Sequence, residues 1–328
     1  MFVLGSGAAL PTVELTDSAL AAIRPTPSDR ESRLLERSGV TRRRVSMSIE
    51  HILSSKNSDV LQARKLAQSS PTALGVEAVN RALREAGLSI EQVGLIIADT
   101  ATPYQTCPSE AQRIAGALGV KVPAYDIVAG AQFLPLYAST LKAWRLDRFP
   151  DYVVCVSTNV LSQHVCYESE AVAGSLVGDA AVAFVFSKAH KSPWSVVSAN
   201  ARMSGVGRSP FTVDKTLSFD ESTILSQEDL RRELSMEFDS IRARVPAALE
   251  RGWFVGPEMY GRDFVTFVEK QGTSSARVMS HARENGFSMG SSQGAVVSRL
   301  LAEVNSGEFV VAVHCENGMT GHVVFMRS

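Results

Sequence analysis

Two kinds of apolar pattern alternate along the chain. Short continuous runs read as buried strands, and stripes of helical period read as amphipathic helices. Met1–Gly7 is a first strand. Ala73, Val76, Val79, Leu83 and Ala86 form a helical stripe that ends at Gly87. Val93–Ala98 reads as a buried strand and Glu110–Leu118 as a helix closed by Gly119. Val122–Val128 is apolar and β-prone, with Asp126 its one charge, and reads as another buried strand. Ala129, Gly130 and Ala131 are small enough for a sharp turn, after which Leu136, Tyr137, Leu141 and Trp144 recur at helical spacing. Tyr152–Ser157 and Gly178–Ala183 read as further strands.

The second half repeats this logic. Leu230–Glu250 alternates acid and base on a helical pattern, as a partly exposed helix does. Trp253–Pro257 is a strand reaching a turn, Phe264–Lys270 a helix and Ala276–Ser280 a short strand. Gly286–Gly294 is a small-residue turn that opens the helix Ala295–Val304, and Phe309–Val313 and His322–Met326 close the chain as two strands. Residues 24–34, with Pro25, Pro27, Ser28, Asp29 and Arg30, read as a polar loop leading into a short helix. Residues 162–175 and 204–227 read as loops. Strands that alternate with helices predict an α/β architecture of packed sheets.

Composition narrows the function classes. The chain has 328 residues, 45% of them hydrophobic, enough for a large core. Net charge is −1, so no overall field favours nucleic acid or a membrane surface. No apolar run reaches the roughly 18 residues of a membrane-spanning helix. The start lacks a basic segment and reads as a strand rather than a signal peptide. Cys107, Cys155, Cys166 and Cys315 are scattered, which fits a reducing cytoplasm and no disulfide framework. His164, Cys166 and Glu168 lie close together but lack a fourth ligand at useful spacing, so no metal is expected.

The turn at Ala129–Ala131 has chemical interest because α/β enzymes often present a nucleophile there, with helix N-terminal N–H groups able to hold an oxyanion. Here it carries only the methyl group of Ala131. These residues alone describe a plain strand-to-helix corner.

The surrounding order of segments resembles ketoacyl-ACP synthase III, of the thiolase-fold condensing enzymes. The resemblance rests on Ile96–Pro103, Cys107–Gln112, Tyr125–Asp126 with the turn, Val153–Thr158 and Val177–Ala183. Upstream, Leu35–Arg44 is similar to the family's substrate-entrance segment and Ala73–Gly87 to its first long helix. It implies a duplicated five-layer α-β-α-β-α fold in two halves, 1–190 and 191–328, with Gly178-Asp179 a structural corner. It also implies an acyltransferase that takes acyl thioesters of coenzyme A or an acyl carrier protein, with no cofactor beyond that thioester. The pathway implied is fatty-acid-derived or polyketide secondary metabolism.

The same resemblance exposes a departure. The family's nucleophilic cysteine matches Ala131, its histidine matches Glu258, after Pro257, and its asparagine matches Phe287, after Gly286. A carboxylate repels the enolate that a histidine would stabilise, and a phenyl ring donates no hydrogen bond. His281 and His314 lie nearby in sequence as alternative imidazoles. Ser288, Asn317 and Gly318 fall on the substrate side of the match. Arg42, Arg43 and Arg44 read either as a solvated loop or as contacts for the phosphates of coenzyme A or phosphopantetheine. The family reaches across its dimer interface at the position of Cys107; the bland alternative is a small buried hydrophobe.

Three readings therefore stand: an acyltransferase whose nucleophile has been replaced, a non-catalytic partner of an active condensing-enzyme paralogue, and a structural or carrier-docking module. A homodimer or heterodimer through an apolar edge strand at Tyr152–Ser157 is expected, with no nucleic acid or membrane partner.

Overall fold

A computed structural model describes residues 1–23, 29–208, 210–213 and 216–328, apart from the side chains at 30, 171, 204–208 and 317. The loop expected at Pro25, Pro27 and Ser28 lies outside the described residues. Asp29–Ser38 is a helix.

Nine strands form one mixed sheet. Their order is Val278–Met279, Gly252–Val255, Phe309–Arg327, Trp194–Arg208, Phe2–Ala9, Asp179–Ser187, Val153–Val160, Leu95–Asp99 and Ala124–Asp126. The sheet has two halves, joined where Phe2 and Val3 pair with Ser195 and Trp194.

Side-chain alternation along the strands then builds three cores and five layers. Val182, Phe184 and Phe186 face inward and meet Phe133, Tyr137 and Leu141 of the helix Phe133–Ala143 and Val296 and Leu300 of the helix Gly290–Glu303. Val310, Ala312 and Val323 of the second half-sheet cover the other side of these two helices. The opposite face of the first half, with Ala183 and Val185, packs on Leu74, Ala78 and Ala82 of Pro71–Ala86 and on Ile114 of Glu110–Ala117. The opposite face of the second half, with Val311 and Val313, packs on Leu230, Leu234 and Phe238 of Gln227–Arg244 and on Phe264 of Gly261–Lys270. The fold is the expected α-β-α-β-α arrangement. Each half ends in two parallel strands whose last member leads towards a central helix.

Several local expectations are corrected. Val153–Val160 is an interior strand, hydrogen-bonded on both sides, so it offers no free edge for a dimer. The edge of that half is Ala124–Asp126, and the run Val122–Val128 is not buried: Tyr125 is 38% and Val128 70% exposed. Residues 204–227 are not one extended loop. Trp194–Arg208 continues as a strand, and Phe211–Val213 pairs with Leu217–Phe219 in a hairpin whose apolar residues anchor it to the core. Residues 162–175 include part of the turn Leu161–His164 and most of the helix Ala171–Leu176. The two closing strands are one, Phe309–Arg327, interrupted by a register shift between Asn317 and Met319.

Candidate active site

The two central helices start at the same place. A turn at Gly130–Gln132 leads into Phe133–Ala143, with Gly130 at φ +56°. Gly290 opens the other helix, so close that a Cβ on it would lie 2.3 Å from Cβ of Phe133 and 2.6 Å from the carbonyl of Gly130. Ala131 is buried between them.

Beneath the turn, Asp99 at the end of its strand is fully buried. One carboxylate oxygen accepts N–H bonds from Ala129 at 2.7 Å and Gly130 at 3.0 Å, and the other accepts the Ser157 hydroxyl at 2.8 Å. Ser157 is 3.0 Å from the Ser291 hydroxyl, and the Asn159 amide donates to Ser291 at 3.2 Å. Burial pushes the Asp99 carboxyl up to about 6. The turn's first two N–H groups are thus used internally, in a network that the apolar pattern did not reveal. Asp126, the lone charge of its strand, caps the helix Glu110–Ala117 by accepting from the N–H groups of Glu110 and Ala111.

Glu258 and Phe287 do come together with Ala131. They line one small cavity of about 10 Å³ with Met259, Met289, Gln293, His314, Cys315 and Glu316, room for about one water. Glu258 accepts three hydrogen bonds, from the Ser280 hydroxyl at 2.6 Å and from the N–H groups of His281 at 3.0 Å and Ala282 at 2.9 Å. It therefore caps the short helix Ala282–Asn285, and burial raises its pKa while these donors oppose the rise. The Phe287 ring packs on Phe211, and its backbone bonds Leu176 and Gly178 at the glycine corner. Asp179 beside that corner holds the backbone of Ser46 and Ser162.

His314 and Glu316, two apart on one strand, point to the same cavity. His314 Nε2 and Glu316 Oε2 are 3.9 Å apart. That is within reach of ion pairing, but burial works against both charges, lowering His314 to about 3 and raising Glu316 to about 8. Burial thus favours the neutral form of each group. His314 Nε2, Glu316 Oε1 and Gln293 Oε1 have no hydrogen-bond partner among the described residues. The sequence offered His314 only as an alternative imidazole, and gave no sign of Glu316 or Gln293. Their shared face depends on knowing that Phe309–Arg327 is one strand. His281 is buried away from this cavity's lining, its backbone N–H on Glu258.

The remaining expected residues are placed elsewhere. Arg42–Val45 is a strand paired with Val13–Thr16, so its side chains alternate. Arg43 is fully buried on Asp17 and the Ser175 carbonyl, which removes it from any phosphate. Arg42 and Arg44 share Glu14, at 3.6 and 3.4 Å. Neither the solvated loop nor a three-arginine cradle describes this segment. Arg37 lies upstream of this strand, in the helix Asp29–Ser38. It bonds Asp263 at 2.9 Å and the Leu225 carbonyl at 3.2 Å, and lies over the Tyr260 ring. Cys107 is exposed, not a buried hydrophobe, on the exposed loop 103–108. Ser288 is buried and spends its hydroxyl and N–H on Ser292. Gly318 adopts φ +77° at the register shift; the Asn317 side chain lies outside the described residues.

No protein-family model matches the chain. It is 33% identical over 128 residues to a beta-ketoacyl-[acyl-carrier-protein] synthase III of Streptomyces glaucescens. That stretch covers 38% of this chain and 38% of the relative's length. Solved structures resemble it throughout. The 3-oxoacyl-[acyl-carrier-protein] synthase III of Aquifex aeolicus superposes with a TM-score of 0.76 at 22% identity, covering 100% of this chain and 99% of that one. The tetronic acid condensing enzyme AbyA1 gives 0.78 at 18% identity, covering 99% of each chain. The fold is that of ketoacyl synthase III.

Proposed function

We propose that the chain is a non-catalytic, ketoacyl synthase III-like subunit that pairs with a condensing-enzyme paralogue acting on acyl thioesters of coenzyme A or an acyl carrier protein. One observation carries this reading: the three positions matched to cysteine, histidine and asparagine all serve the fold. Ala131 is a core methyl group, the Glu258 carboxylate is committed to three internal donors, and Phe287 stacks within the core. Among the described residues, the cavity these three positions share holds only about 10 Å³. The partner surface is the free edge Ala124–Asp126, with exposed Tyr125 and Val128 and the neighbouring exposed loop 103–108. The setting that goes with this reading is polyketide or fatty-acid-derived metabolism.

Sedimentation of the chain, alone and mixed with an active ketoacyl synthase III-type enzyme from the same source, tests this. A dimer-sized species is expected, weakened by Val128→Lys with the fold intact. A monomer under both conditions overturns the reading.

A second reading rests on the three unpartnered atoms of His314, Glu316 and Gln293. Buried polar groups without partners are costly, so a cavity that keeps three is suited to a ligand group that pairs with them. In this reading an acyl thioester binds without forming a covalent adduct, and His314, held neutral by burial, orients an incoming alcohol or amine by accepting its hydrogen bond. Release of free coenzyme A from an acyl-coenzyme A, abolished by His314→Asn, would favour it over the first.

A further inference from the structure

Outside the site just described lies a cleft of about 430 Å³ at the far edge of the second half-sheet. It lies where the parallel strands Gly252–Val255 and Val278–Met279 end, the place where open α/β sheets bind ligands. Gly256, Pro257 and Glu258 form the wall between it and the small cavity beside Ala131. Its volume is in the range of small-molecule sites.

The lining has two characters. Phe264, Val265, Val278 and Met279 supply an apolar floor, while Arg262, Arg283 and Arg299 are exposed at its margin. Arg262 pairs with Glu36 at 3.7 Å. The guanidinium groups of Arg283 and Arg299 make no hydrogen bond or ion pair among the described residues. The two acids of the lining do not neutralise them. Glu258 is committed to Ser280, His281 and Ala282, and Glu284 reaches Arg42 at 3.9 Å. His281, whose buried Nε2 has no hydrogen-bond partner among the described residues, feels the charge of Arg299.

We propose that this cleft binds an amphipathic anion, its acidic head held by Arg283 and Arg299 and its apolar body on Val278, Met279 and Phe264. Guanidinium groups suit carboxylate and phosphate alike, because both present oxygen pairs to the planar fork. The head is therefore a carboxylate or a phosphate monoester on an apolar chain.

Calorimetric titration of the full chain at low salt with octanoate, octyl phosphate, octanol and inorganic phosphate tests this. Octanoate or octyl phosphate is expected to bind, and whichever is tighter identifies the head. Octanol and inorganic phosphate, each lacking one half of the recognition, bind at least tenfold more weakly. Arg283→Ala and Arg299→Ala, both at exposed positions, each weaken the tighter probe about tenfold, as loss of one charge-assisted bond does. Binding also falls with added salt. Equal affinity in the arginine variants, octanol binding as tightly as octanoate, or no heat from either amphiphile at millimolar concentration overturns the proposal.

Discussion

The rings of Phe211 and Phe287 stack with centroids 5.2 Å apart and planes 23° from parallel. One comes from the hairpin Phe211–Val213/Leu217–Phe219 and the other from the segment that opens the second central helix. The contact ties the hairpin to the segment leading into the second central helix. Phe287→Ala should therefore destabilise the chain by about 3–5 kcal/mol, as large-to-small core changes do. Chemical denaturation checks this. A loss below about 1 kcal/mol would show that the ring does not hold the hairpin down.

Ala131→Cys places a thiol at a helix N-terminus, a setting that favours the thiolate. On the turn alone, such a variant should accept an acyl group. The small cavity beside position 131, about 10 Å³ and lined by Phe287 and Met289, argues the other way. No mass increase on intact protein is expected from either the parent chain or the variant incubated with acyl-coenzyme A. Acylation of the variant alone would favour the acyl-handling reading. Acylation of the parent would point to Cys107, which is exposed, rather than to buried Cys155 or Cys315.

Glu316 gives the fold a pH dependence of defined sign. Burial raises its pKa from 4.5 to about 8, so the folded chain keeps a proton that the unfolded chain releases. Its contribution to stability is full below about pH 4.5 and is lost as pH rises towards 8, with a slope of up to about 1.4 kcal/mol per unit. Glu316→Gln removes that slope. The difference in melting temperature between variant and parent should grow in the variant's favour from pH 5 to pH 8. A constant difference would show that Glu316 ionises as an ordinary carboxylate.

Gly290→Ala should disturb the turn without touching its chemistry. The added methyl meets Phe133 Cβ at 2.3 Å and the Gly130 carbonyl at 2.6 Å, and neither is the free end of a flexible side chain. A loss of about 1–3 kcal/mol or more is expected from overpacking. Unchanged stability would mean that the two central helices slide apart easily.

Much of the architecture was legible because burial on both faces leaves continuous apolar runs, as at Leu95–Asp99 and Val153–Val160. Pattern could not tell which of those runs lies at an edge. Val122–Val128 reads as buried for the same apolar residues that, at the end of a sheet, face outward. The hairpin at Phe211–Phe219 was hidden because its apolar residues are spaced among Thr, Asp, Lys and Ser. At the site, the family resemblance singled out positions 131, 258 and 287, but not what their side chains do in the fold. That Glu258 caps Ala282–Asn285 depends on a contact across 24 residues of chain. The Asp99–Ser157–Ser291 network likewise joins residues with no local relation.

The alternation of Arg42, Arg43 and Arg44 has a consequence for how this segment tolerates variation. Two of the three sit over one acidic side chain in solvent, where lysine or glutamine would serve nearly as well. The middle one directs Nε, at 2.7 Å, and Nη2 to the Ser175 carbonyl and Nη1 to Asp17. Lysine cannot reproduce that fork, and a shorter side chain would strand a buried carbonyl. A library randomised across the three codons should return a free choice at the outer two and arginine alone at the centre. Three identical letters would thus behave as one fixed word between two open ones.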